Sequence, residues 1–135
     1  MSAGGRGAAN KVKHACLGVI RLDYNYPAAP GDIDHPGSFG YDVYYRVIPG
    51  LTFAMCQKGE MTKEVEEEFI SGVMWLSEVK NVSGITGDCG FMMWFQKLAR
   101  NLIHKPIFMS ALSQLPAVTC AYAHDEQIVI MTANG

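Results

Sequence analysis

The chain has 135 residues, 49% of them hydrophobic, which is enough for one core and short for two lobes that each carry a complete one. Its 11 basic and 13 acidic residues give a formal charge of −2 with no block of like charge, so a nucleic-acid footprint is not supported. No apolar stretch is long enough to span a bilayer, so no membrane association is expected.

Met1 to Lys13 is small, polar and Gly-rich and lacks the apolar core of a signal peptide; a flexible tail is expected over 1–16, with a folded α/β lobe over 17–135. Cys16, Cys56, Cys89 and Cys120 show no CxxC spacing, and the four histidines no HxxxH or HxH spacing. Neither a disulfide framework nor a zinc site is expected. The thiols read as reduced and the compartment as intracellular, cytoplasm or chloroplast, rather than secreted.

Leu17 to Leu22 is a short apolar run bounded by polar residues, the pattern of a buried strand. Asp23 to Gly40 contains Pro27, Pro30 and Pro36 and is no helix; its Tyr24, Tyr26 and Phe39 point to an ordered, functional loop. Tyr41 to Ile48, β-branched and aromatic, predicts a second strand that Pro49-Gly50 ends. Met61 to Lys80 is the clearest helix, with Thr62 as N-cap, acids in its first turns, and a buried stripe of Val65, Phe69, Val73 (or Gly72), Leu76 and Val79 (or Lys80). Val82 to Thr86 is a short strand, Gly87-Asp88-Cys89-Gly90 a tight turn, and Phe91 to His104 a second helix. Pro106 to Met109 is another strand. Ser110 caps the segment from Ala111, and Pro116 predicts a kink or two short pieces. Gln127 to Thr132, β-branched at its centre, predicts a last strand.

Alternating strands and helices predict a mainly parallel sheet with helices on both faces. Ligands in such sheets sit at the carboxyl ends of the strands. That edge is expected to carry Asp23 to Tyr26, Gly87 to Gly90, Ser110 and Thr132 to Asn134. No helix follows the last strand to cover it, which points to a fragment, a truncated paralogue or a missing partner lobe. The uncovered apolar strand is expected to drive homo-oligomerisation.

Cys89 is the leading candidate for a reactive thiol. Gly87 and Gly90 permit unusual backbone angles and open the backbone N–H groups toward a ligand, and the N-terminus of the following helix would complete an anion nest and acidify the thiol. Most unpaired cysteines are instead buried and inert, the reading preferred for Cys16 and Cys120; Cys56 is left open. Tyr44 and Tyr45 read as packing. Tyr24 and Tyr26, at the ligand edge, are placed to face a substrate, and aromatic faces hold onium cations well. The methionines read as core, and Glu64 to Glu68 as a solvated face.

Gly18-Val-Ile-Arg-Leu-Asp-Tyr-Asn-Tyr-Pro27, Pro49-Gly-Leu-Thr52, Gly84-Ile-Thr-Gly-Asp-Cys-Gly-Phe-Met92, Phe108-Met-Ser-Ala-Leu112, Gln114-Leu-Pro116 and Ile130-Met-Thr-Ala-Asn134 follow in order. This set resembles the aspartate/glutamate racemase superfamily and, within it, the algal dimethylsulfoniopropionate lyases, from about Leu17 onward. The resemblance implies a cofactor-independent enzyme of two similar α/β lobes, each presenting one Cys at the cleft between them. Cys89 matches the first-lobe Cys, and a second-lobe Cys has no match in this sequence.

What the resemblance implies is lyase chemistry: dimethylsulfoniopropionate to dimethyl sulfide and acrylate, with Cys89 as the base. Gly87, Asp88, Gly90 and Ser110 would neutralise the substrate carboxylate, and Tyr24 and Tyr26 would face its sulfonium. No metal or other cofactor is expected. Amino-acid racemisation uses the same proton abstraction but needs a Cys on each face. The third reading is an inactive paralogue that binds a small acid or a full-length subunit.

Overall fold

The computed structural model describes residues 14–133, so the tail expected over 1–16 lies almost wholly outside the described residues, and Cys16 already opens the first strand. β1 (Cys16–Arg21) pairs in parallel with β2 (Asp42–Val47) on one side and β3 (Gly84–Gly87) on the other. β3 in turn carries the two-residue β4 (Ile107–Phe108). The order β2-β1-β3-β4 is parallel throughout, the α/β architecture expected. Successive strand residues point to opposite faces, and Val19 and Ile20 are both fully buried, so both faces of the sheet are covered at its centre.

Three helices share a core with Ile20. The first, α1 (Phe53–Lys58), is not anticipated in the sequence pattern, yet both its ends are marked. Thr52 Oγ1 accepts from the Met55 N–H at 3.2 Å, and Gly59 takes the left-handed conformation (φ 70°) that closes the helix. α2 (Lys63–Met74) starts at the expected cap, Thr62, with Glu64 and Glu66 in its first turn. Its stripe of Val65, Phe69, Val73 and Leu76 is buried as expected, but Val79 is 68% exposed. The cause is a π-helical turn over Trp75–Val79, which rotates the end of the helix out of the α register.

The helix expected over Phe91 to His104 is broken into a 3-10 segment, Gly90–Phe95, and a short α3 (Gln96–Arg100). The Met92 N–H bonds back to the Cys89 carbonyl at 2.9 Å, which winds the first turn tighter than an α-helix. Phe95 meets Phe69 edge-on at 5.8 Å and joins the two elements.

On the Val19 side, the Tyr45 hydroxyl donates to the Ile33 carbonyl at 3.0 Å and ties the loop between β1 and β2 to the sheet. Gln114, at the end of the 3-10 turn Ala111–Gln114, borders a hollow over Leu17, Thr86 and Phe108. Ser110 caps this turn as expected, accepting from the Leu112 N–H at 3.1 Å. The segment from Ala111 is two short pieces, one of the two outcomes expected: the 3-10 turn gives way to α4 (Leu115–Ala121), and Pro116 sits in the first turn of α4, where its missing N–H costs nothing.

Two expectations fail at the end of the described chain. Gln127 to Thr132 forms no strand, and Val129 and Met131 are 79% and 94% exposed. Its neighbour in the order would be β4, whose two residues offer almost no ladder, and β-propensity alone does not make a strand. Cys120, read as buried, is exposed on α4. No helix among the described residues is long and apolar enough to cross a membrane.

Candidate active site

The chain leaves β1 toward β2 on one side and returns to β3 on the other, so the order switches between β1 and β3. A crevice opens at the carboxyl ends of strands at such a switch. Here it is a cleft of about 510 Å³, within the range of small-molecule sites. Leu22 and Tyr24 enter it from the end of β1, Asp88 to Phe91 from the end of β3, and Ser110 to Leu112 from the end of β4. Phe53 of α1 and Met131 to Ala133 complete the lining.

Cys89 stands at this switch with extended backbone (φ −120°, ψ 126°) and is 8% exposed. Burial alone would raise its pKa. Hydrogen bonds to the sulfur from the Cys56 thiol, foremost, and from the Phe91 and Met92 N–H groups outweigh that, and the thiol is held at about 6. Cys56, fully buried in α1, is the reciprocal partner. Its hydrogen bond to Cys89, followed by burial, pushes its own thiol far up. At neutral pH the pair is a Cys89 thiolate held by a Cys56 thiol.

Asp88 is pushed up to about 7, chiefly by burial, with the charges of Asp34 and Cys89 adding to it. The Leu22 N–H opposes this, donating to the two carboxylate oxygens at 3.0 and 3.3 Å. A carboxyl that holds its proton for part of the time near neutrality therefore sits beside the thiolate.

The turn works differently from the sequence expectation. Among the described glycines, Gly31, Gly50 and Gly59 have positive φ; Gly87 and Gly90 do not. Gly87 is required by space: a Cβ there would lie 2.5 Å from Met92 Sδ and 2.7 Å from the Met109 carbonyl oxygen. A Cβ at Gly90 would meet only Ser110 Oγ, at 3.9 Å. Nor is the turn an open anion nest. The Asp88 N–H bonds to the Ile20 carbonyl at 3.0 Å, the Phe91 N–H serves the Cys89 sulfur, and the Met92 N–H is shared between that sulfur and the Cys89 carbonyl. α3 has five residues and begins after the 3-10 segment, so the hydrogen bonds rather than a helix dipole acidify the thiol.

Tyr24 lines the cleft and Tyr26 does not. Their rings stack at 5.6 Å and 14°, while the Tyr26 hydroxyl donates to Asp32 at 2.9 Å. The Tyr24 hydroxyl donates to Asp34 Oδ2 at 2.7 Å, and Arg21 Nε pairs with the other oxygen at 3.0 Å. Burial and that bond to Asp34 raise the Tyr24 phenol, which stays neutral. Of the residues singled out in the sequence, Cys89, Asp88, Gly90, Tyr24 and Ser110 converge on the cleft. Gly87 instead borders an adjoining hollow of about 300 Å³. Sequence reasoning left Cys56 open and passed over Phe53, Phe91 and Leu112. Thr52 and Gly59, the two caps of α1, were the signal for the first two. Phe53 and Phe91 meet edge-on at 5.7 Å and 75° and form an aromatic wall.

Over 122 residues, 90% of its length, the chain is 65% identical to dimethylsulfoniopropionate lyase 3 of Emiliania huxleyi strain CCMP1516. In sequence it is a homologue of the algal dimethylsulfoniopropionate lyases. It is 63% identical over 123 residues to lyase 7 of the same strain, covering 91% of this chain and 36% of that protein. It is 50% identical over 123 residues to the dimethylsulfoniopropionate lyase of Durusdinium sp. clade D, covering 91% of this chain and 41% of that one. The chain spans 32% of the length of lyase 3, about a third. No protein-family profile and no solved structure matches it.

Proposed function

We propose that the Cys89 cleft is the base-bearing part of a lyase site that cleaves dimethylsulfoniopropionate to dimethyl sulfide and acrylate. One observation carries the reading: a thiolate held by Cys56 faces a small-molecule cleft in a chain 65% identical to a dimethylsulfoniopropionate lyase. The Cys89 thiolate takes a proton from the carbon beside the substrate carboxylate. The electron pair left behind forms the carbon–carbon double bond, the carbon–sulfur bond breaks, and its electrons leave with neutral dimethyl sulfide. The proton then passes from the Cys89 thiol to solvent. That carbon is weakly acidic, so the developing charge on the carboxylate must be met by donors. Ser110, whose oxygen accepts from Leu112 and whose hydroxyl still has a proton to give, and protonated Asp88 are the donors at hand. The rings of Tyr24, Phe53 and Phe91 offer faces to the sulfonium.

Elimination needs one base, whereas racemisation needs a proton-transferring group on each side of the carbon. Cys89, which lines the cleft, can serve as that one base, and the names of the relatives favour the lyase over the racemase. In this reading residues 17–135 form one racemase-like lobe, and the exposed apolar run from Ile128 to Met131 supports self-association. The test is headspace analysis of the purified chain given dimethylsulfoniopropionate. Dimethyl sulfide with equimolar acrylate is expected, at least about a hundred-fold above Cys89→Ala, as for loss of an essential acid–base group. Equal release by wild type and variant removes Cys89 from the reaction. Loss of optical activity from an amino-acid enantiomer, without gas, would point to the racemase.

A further inference from the structure

In the lyase reading the elimination leaves its proton on the Cys89 sulfur while acrylate and dimethyl sulfide still fill the cleft. Cys89 is 8% exposed and borders that cleft, so the products stand between its proton and solvent. We propose that Asp88 is the relay that clears this proton, taking it from the Cys89 thiol on the cleft side and passing it to water in the adjoining hollow, so that the base recovers without a path through the filled cleft. The inference rests on the lyase reading and adds a second acid–base residue to it.

The placement of Asp88 carries the argument. It borders both the cleft of about 510 Å³ and the hollow of about 300 Å³, whereas Cys89 borders the cleft alone of the two. Gly90, Ser110 and Ala111 are the other residues common to both. Of these four, Asp88 alone has a side chain that can lose and regain a proton near neutral pH. Thr86 and Gln114 give the hollow a polar lining, and a polar space of that size admits water. The Asp88 carboxylate is fixed by the Leu22 N–H, 3.0 and 3.3 Å from its two oxygens. One backbone donor leaves lone pairs on both oxygens for the thiol or for a water.

The charges around Asp88 suit a group that titrates during turnover. Burial raises its carboxyl to about 7, Asp34 and Cys89 add to the rise, and Arg21 opposes it. Tyr24 and Cys56, which also feel the Asp88 charge, are both raised and keep their protons. The Cys89 thiol, at about 6, holds its proton less tightly than Asp88, so transfer from sulfur to carboxylate runs downhill. The cycle balances. Asp88 gives its proton to a water of the hollow. The Cys89 S–H bond then breaks as the Asp88 O–H bond forms, directly or through one water. Thiolate and carboxylic acid stand as at the start, and one proton has left for each one taken from substrate.

The test uses Asp88→Asn, which keeps an N–H for the substrate carboxylate and cannot carry a proton. Recovery of the base follows the departure of dimethyl sulfide, so kcat should fall at least about ten-fold while kcat/KM stays within about two-fold of wild type. Imidazole is small and titrates near neutrality. Raising its concentration at constant pH and ionic strength should restore kcat in the variant and leave wild-type kcat unchanged. Iodoacetamide labelling of Cys89 at pH 7 checks that the variant keeps its turn and thiolate. A second variant, Gln114→Trp, changes an exposed residue that borders the hollow and not the cleft, and narrows the water path without touching the turn. It should lower kcat in the same sense with kcat/KM held. Full kcat in both variants, a loss in Asp88→Asn that imidazole does not repair, or an equal fall in kcat and kcat/KM would overturn the relay. A wild-type chain that releases no dimethyl sulfide removes the lyase and the relay with it; an active wild type with an unrepaired Asp88→Asn removes the relay alone.

Discussion

At Cys89 desolvation and hydrogen bonding oppose each other, and three donors to the sulfur decide the outcome. Asp88, its neighbour in sequence, has one backbone donor, and burial prevails there. The two groups therefore shift in opposite directions within one turn. For Asp88 the folded-state pKa, about 7, lies above the ordinary 3.8, so the folded chain holds a proton that the unfolded chain releases. Its contribution to stability is full below the lower value and is lost as pH rises toward the higher one. Asp88→Asn should flatten that decline, and urea unfolding across the window checks it; an unchanged slope would mean that Asp88 titrates normally. The Gly-Asp-Cys-Gly run made Cys89 and Asp88 legible in the sequence. Cys56 was not, because no spacing rule links residues that meet only when α1 packs against the turn.

Among the elements, β3 and its turn illustrate why a glycine can be required without an unusual backbone angle. Gly87 is where Met92 and Met109 close over the end of the strand. Gly87→Ala should cost about 1–3 kcal/mol, as overpacking does, while Gly90→Ala should stay within about 0.5 kcal/mol. Chemical denaturation of both variants tests this, and equal losses would contradict it. β1, β2 and β3 were readable because their apolar runs have long partners to pair with. The run from Gln127 to Thr132 has an apolar, β-branched centre too and forms no strand beside the two-residue β4. α1 escaped notice for the opposite reason: six residues give too little periodicity, and only its caps announce it.

For the whole molecule, alternation of strand and helix was sufficient to give the parallel sheet, and the switch in strand order then fixes where the cleft opens. What the pattern missed is what closes the molecule at its far edge. Ile128, Val129, Ile130 and Met131 are 40%, 79%, 47% and 94% exposed, a continuous apolar run against water. Such a run favours association with another surface. Light scattering at micromolar concentration should show species larger than one chain, and Val129→Lys with Met131→Lys should return it to the monomer. A wild-type monomer would contradict this.

The central claim, that a Cys89 thiolate held by Cys56 is the working base, is tested most directly by the pH dependence of two rates on one protein: dimethyl sulfide release and iodoacetamide labelling of Cys89. Both should rise with pH through a midpoint near the thiol's value of about 6. Cys56→Ala removes the first of the three donors, so both midpoints should move upward together; Cys56→Ser, which keeps a donor, should hold them nearer the wild-type position. A labelling midpoint near the ordinary thiol value of 9, or a release profile that stays put while the labelling midpoint moves, would contradict it.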